Sequence, residues 1–143
     1  MHVLFVCTGN TCRSPMAEAL MKKIASEKNL NLTCDSAGVS AFPESPLSPM
    51  AKRVLESDFG IVDFDHRAKQ LTAALLRECD LAVAMTENHR LLLLQAFGSE
   101  EKVIAMPEDV GDPYGGDEAA YKKAADAILA GLNILLERGI LHG

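Results

Sequence analysis

The chain has 143 residues, of which 48% are hydrophobic and 24% charged, a length and balance that fit one globular domain, expected over residues 1–143, and exclude a disordered or fibrous protein. A net charge of −6 with no basic stripe argues against nucleic acid as a partner. The start Met1-His2-Val3-Leu4-Phe5-Val6 lacks a basic region, and later apolar runs such as residues 91–94 fall far short of a membrane span; no signal segment, no membrane partner and a cytoplasmic placement are expected.

Apolar runs and amphipathic stretches alternate along the chain. Residues 3–6 read as a first strand, 15–28 as a helix and 30–37 as a second strand; two helical stretches follow, then strands at 80–85 and 102–105 separated by a helix, and a closing helix over 118–138. This order predicts an α/β fold: one three-layer domain, a four-stranded parallel sheet with helices on both faces. Ala120, Ala124, Ile128, Leu132 and Leu135 share one face of the last helix, which is read as core and not as function. Connections look short except over residues 39–49 and 106–117, both rich in proline, and both leave a strand at the carboxyl end of the sheet, where open α/β sheets bind ligands. Cys34 and Cys79 read as small apolar core residues; four scattered cysteines do not make a disulfide scaffold.

The chemistry is concentrated directly after the first strand, in Cys7-Thr8-Gly9-Asn10-Thr11-Cys12-Arg13-Ser14-Pro15. Cys and Arg separated by five residues are weak evidence as a bare spacing. Between a strand and a helix start the pattern becomes a phosphate cradle. The N–H groups of residues 8–14 can wrap an anion, Arg13 can close the ring with a bidentate fork, and the helix contributes its positive end. Gly9 and Asn10 tolerate the unusual backbone angles such a loop needs, and Ser14-Pro15 starts the helix. The field that holds a phosphate also favours a thiolate at Cys7. Cys7 is therefore assigned as a nucleophile that forms a phosphocysteine, with Arg13 stabilising the transition state. No metal and no cofactor are called for: the charge is carried by amides and one guanidinium.

Cys7 to Pro15 followed by Met16-Ala17-Glu18-Ala19 resembles the low-molecular-weight protein tyrosine phosphatase family. Asp35-Ser36-Ala37-Gly38, His66-Arg67-Ala68-Lys69-Gln70-Leu71, Asp80-Leu81 through Met85-Thr86, and Asp112-Pro113-Tyr114 look like that family's later landmarks in its order. The resemblance implies that Asp112 is the general acid and then the base that activates water. It implies a support shell in which Ser36 and His66 hold Asn10 in a left-handed conformation and Ser14 donates to the Cys7 thiolate. Phe42 and Tyr114 fall where the family places the walls of its substrate pocket. Cys12 is read as a redox guard that captures an oxidised Cys7.

Thr11 sets the expected substrate. Members of the resembling family that act on phosphotyrosine carry isoleucine there, whereas those resembling protein-arginine phosphatases carry threonine. A hydroxyl on the pocket wall can accept from a guanidinium, while isoleucine would leave its donors unpaired. Gly115 and Gly116, in place of a bulkier rim, point the same way. The expectation is a monomeric enzyme that removes phosphate from phosphoarginine in proteins, with protein tyrosine phosphatase as the alternative. A thiol-relay arsenate reductase is remote, because no second cysteine accompanies Cys79; a phosphate-binding module without turnover would not need Cys7, Arg13 and Asp112 together.

Overall fold

A computed structural model describes residues 1–98 and 100–143, the side chain of Glu100 excepted. Its strands are β1 (His2–Cys7), β2 (Thr33–Gly38), β3 (Leu81–Ala84) and β4 (Val103–Ala105), all parallel and ordered β2-β1-β3-β4. The helices are α1 (Arg13–Glu27), α2 (Pro49–Phe59), α3 (Ala73–Glu78), α4 (Glu87–Phe97) and α5 (Glu118–Glu137).

The period of two along β1 sorts its side chains between two cores. Val3, Phe5 and Cys7 enter the one built with α1, α2 and α5; Leu4 and Val6 enter the other, which includes Leu76 of α3 and Leu93 of α4. The alternation thus delivers Cys7, the last residue of β1, to the face that α1 covers. The expected three-layer architecture is the one observed, and both proline-rich connections emerge at the carboxyl edge.

Three local expectations need correction. The second strand begins at Thr33, because residues 28–30 complete a Schellman turn: Asn29 N–H donates to Ser26 O, Leu30 N–H donates to Ala25 O, and Asn29 has φ 53°. A third long connection, residues 60–72, separates α2 from α3. It is tied to the sheet by Gly38 N–H to Lys69 O and Leu71 N–H to Gly38 O, and its polar composition hid that role. Finally, α5 is not purely core: besides burying Ala124, Ile128, Leu132 and Leu135 as expected, it directs Tyr121 at the Cys7–Ser14 loop.

Candidate active site

The loop from Cys7 to Ser14 closes over a cavity of about 230 Å3 lined by residues 7–13 together with Asp112 and Tyr114. Helix α1 opens at Arg13 with no capping side chain, so its first amides are left to the loop. Asn10 has φ 57°, the left-handed turn expected from the sequence, and its backbone N–H points back at Cys7 Sγ at 3.3 Å.

Asn10 is held from every side. Lys69 N–H donates to its Oδ1 at 2.9 Å, which fixes which end of the amide is oxygen. Its Nδ2 then donates to Ser14 Oγ at 2.9 Å and to Ser36 Oγ at 3.0 Å, while His66 Nε2 lies 2.7 Å from its carbonyl oxygen. Asn10, Ser14 and Ser36 are fully buried and His66 nearly so. The protons can be followed from here. Ser36 Oγ, having accepted from Asn10, passes its own hydrogen to Glu18 Oε1 at 2.7 Å. Ser14 Oγ, likewise already an acceptor, lies 2.9 Å from Cys7 Sγ and 3.5 Å from Ala37 O, the two acceptors within reach of its one hydrogen. Of the two, the sulfur is the nearer, and a thiolate at Cys7 would draw the Ser14 O–H to it.

Gly38 explains how β2 approaches so closely. A Cβ there would sit 2.5 Å from Thr8 O and 3.1 Å from Asn10 N, so the loop and the strand end fit only without a side chain. Arg13 is buried; its Nη1 donates to Val110 O at 3.0 Å, and its Nη2 lies 3.7 Å from Asp112 Oδ2. The carbonyl anchor holds the guanidinium at the cavity, which Arg13 lines, and leaves Asp112, 55% exposed, as a loosely held neighbour. Asp112 Oδ1 also accepts from Tyr114 N–H at 3.0 Å, so the stiff Asp-Pro-Tyr turn aims the carboxylate.

Thr11 lines the cavity, and the contact recorded for its hydroxyl is a weak one, 3.8 Å to Cys12 Sγ. Cys12 itself is buried, with Sγ 3.5 Å from the Tyr121 hydroxyl, which also accepts from Ser48 Oγ at 3.2 Å. Burial, and next the hydrogen bond with Cys12, raise the pKa of Tyr121. All four cysteines are free thiols. Burial pushes Cys34 up to about 12 and raises Cys79 as well, in keeping with their reading as inert core residues.

Of the residues expected to gather, Cys7, Thr8, Gly9, Asn10, Thr11, Cys12, Arg13, Ser14, Ser36, His66, Asp112 and Tyr114 do so. Phe42 does not. It stands 81% exposed and is not among the cavity's lining residues, because its loop is pulled toward residues 66–69 by Glu44 N–H to Ala68 O and Ala68 N–H to Ser45 O. Sequence reasoning missed Glu18, His89 and Tyr121. Glu18 carried a signal, a carboxylate on the buried face of α1 one turn from Ser14; the other two meet the loop across 81 and 109 residues and carried none.

Comparison with known proteins agrees with this geometry. The chain is 40% identical over 136 residues to a protein-arginine-phosphatase of Bacillus subtilis, covering 90% of this chain and 89% of that protein. It is 31% identical over 141 residues to the low molecular weight protein-tyrosine-phosphatase PtpB of Staphylococcus haemolyticus, covering 90% and 93%. Among solved structures, a YwlE arginine phosphatase mutant with a phosphorylated active site serine superposes with a TM-score of 0.91 at 38% identity, over 96% of this chain and 95% of that one. A low molecular weight protein tyrosine phosphatase from T. tengcongensis superposes with a TM-score of 0.92, also at 38% identity, over 96% and 99%. The family model described as low molecular weight phosphotyrosine protein phosphatase matches residues 2–139, and the chain belongs to that family.

Proposed function

We propose that this protein is a cysteine-dependent protein-arginine phosphatase, working as a monomeric single domain over residues 1–143 in the cytoplasm. The observation that carries the reading is the cavity lined by the whole 7–13 loop, Thr11 included, and bordered by Asp112. Similarity to the protein-arginine-phosphatases of Bacillus subtilis and Geobacillus stearothermophilus supports it, as does the phosphorylated active site serine of the YwlE neighbour. No helix among the described residues is long and apolar enough to cross a membrane.

In the proposed reaction the Cys7 thiolate attacks phosphorus as the phosphorus–nitrogen bond breaks. Asp112 gives its proton to the departing guanidinium nitrogen, and a phosphocysteine forms. Amides of residues 8–14 and the Arg13 guanidinium hold the equatorial oxygens throughout. Asp112, now ionised, takes a proton from water; the water oxygen attacks phosphorus, the sulfur–phosphorus bond breaks, and phosphate leaves with the thiolate restored. Cys12 serves as guard: a Cys7 sulfenic acid condenses with the Cys12 thiol, releasing water and forming a disulfide that thiols reverse. Equal recovery from peroxide in Cys12→Ala and the parent would remove that role.

The deciding experiment compares phosphoarginine and phosphotyrosine peptides. The parent should prefer the former, Cys7→Ser should abolish turnover of both, and Thr11→Ile should lower kcat/KM on phosphoarginine by about 5-fold to 200-fold, equivalent to about 1 to 3 kcal/mol for an unpaired buried donor. A parent that prefers phosphotyrosine, with a ratio unmoved by Thr11→Ile, is a tyrosine phosphatase.

A further inference from the structure

Thr8 is the exposed member of the loop, yet its hydroxyl is anchored: Oγ1 lies 2.8 Å from Nε2 of His89, on α4. His89 is only 5% exposed, and its Nδ1 lies 2.9 Å from Thr86 Oγ1. Thr86 is the N-cap of α4, and its Oγ1 already accepts the backbone N–H of His89 at 3.1 Å.

The hydrogens can be assigned from these contacts. Burial, then the charge of Arg13, lower the His89 pKa, with Asp112 and Asp109 opposing, so the ring is neutral near pH 7 and carries one N–H. With the Thr86 oxygen engaged by the helix cap, its hydrogen is directed to Nδ1. The ring proton then lies on Nε2 and is donated to Thr8 Oγ1. This arrangement satisfies every group in the chain. It also fixes the Thr8 rotamer while leaving Oγ1 a lone pair and a hydrogen of its own. Thr8 borders both the cavity above Cys7 and the adjoining groove along α4, so its rotamer sets part of the cavity's lip.

We propose that His89 is a positioning residue for substrate choice: by holding Thr8 Oγ1 it keeps a second hydroxyl, beside that of Thr11, available as an acceptor for the guanidinium N–H groups of phosphoarginine. The inference rests on the phosphoarginine reading of the site. A phosphorylated guanidinium brings several donors into the cavity, more than Thr11 alone can accept. A phenyl ring brings none, so the pair of hydroxyls discriminates between the two groups through unpaired donors and not through size.

The test uses Thr8→Val, His89→Asn, His89→Gln and the Thr8→Val/His89→Asn double variant of the full chain, assayed on a phosphoarginine peptide and on an aryl phosphate. Asparagine reproduces the position of the imidazole Nδ1 but cannot reach Thr8; glutamine places an amide near Nε2 and can. Thr8→Val and His89→Asn should each lower the phosphoarginine-to-aryl ratio of kcat/KM by about 5-fold to 50-fold, chiefly through KM. The double variant should be no worse than either single one, and glutamine should restore most of the ratio. An unchanged ratio, additive losses, or glutamine no better than asparagine overturns the proposal. Should His89→Asn fail to fold, Thr8→Val, at an exposed position, decides alone. A parent without phosphoarginine turnover would defeat the substrate reading as well; a parent that turns it over while Thr8→Val leaves the ratio unmoved defeats only this inference.

Discussion

The loop ending β1 and the loop carrying Asp112 face one cavity and are held in opposite ways. Asn10, Ser14 and Ser36 are wholly buried, and among the described residues no buried side-chain nitrogen or oxygen lacks a partner. Asp112 is 55% exposed, and Tyr114, two residues on, is 79% exposed. The difference follows the order of the proposed chemistry. The groups that hold phosphate perform the same task for every substrate and can be locked in place beforehand, whereas the acid and the rim must admit a side chain and release it. The base of the site is locked by buried hydrogen bonds, and the side of its lip that carries the acid is the loosely held one.

The largest test of that contrast is Asp112→Asn. It should lower turnover of phosphopeptides by about 10²-fold to 10⁴-fold, and of aryl phosphates with good leaving groups by less, while the melting temperature stays near that of the parent. A large stability loss would show that the acid loop belongs to the rigid part after all. Asn10→Ala should do the reverse in kind: it strands buried partners in β2 and residues 66–69, costing about 1 to 3 kcal/mol in urea unfolding besides impairing turnover. Tyr114→Ala should leave stability within about 0.5 kcal/mol, and an equal loss in both variants would erase the distinction.

The smallest effect concerns pH. Asp35 sits beside the base: burial would raise its pKa, but the Lys69 ammonium at 2.6 Å and the Ser36 N–H at 2.8 Å outweigh it and the value is lowered. A depressed folded-state pKa contributes stability above the ordinary aspartate range, and that stability is lost as pH falls through the folded value. Lys69→Met should therefore be less stable than the parent at neutral pH, by under about 1 kcal/mol because the pair is partly exposed, and the two should converge on acidification. Urea titrations at neutral and acidic pH check this; a gap that widens toward low pH would contradict the pairing.

The sequence disclosed the part of this contrast that is local. Strand, loop and helix follow within residues 2–27, so the hydrophobic run, the glycine, the left-handed asparagine and Ser14-Pro15 all fall in one window that can be read directly. The support shell needed the resemblance, since Ser36 and His66 are unremarkable until their order is noticed. His89 and Tyr121 were invisible for a physical reason: each is a buried ring on a helix, where the sequence does not separate it from any other core-facing position. Only the packing of α4 and α5 against the loop reveals its partner. Phe42 failed the other way, because sequence places it in a loop but does not say which way that loop is pulled.

Gly38 ties these observations to the sheet's boundary. It ends β2, which is an edge strand, and it is bridged on its outer side to Gln70. Ser36, two residues earlier, steadies Asn10. The competence of the phosphate loop therefore depends on an edge of the sheet as well as on its centre. Fraying of 36–38 together with 66–71 would release Asn10 from Ser36, Lys69 and His66 while β1, β3 and the helices stay folded. On warming, such a protein should lose catalysis before it loses its helical signal, and the amides of those two segments should exchange with solvent ahead of those in β1.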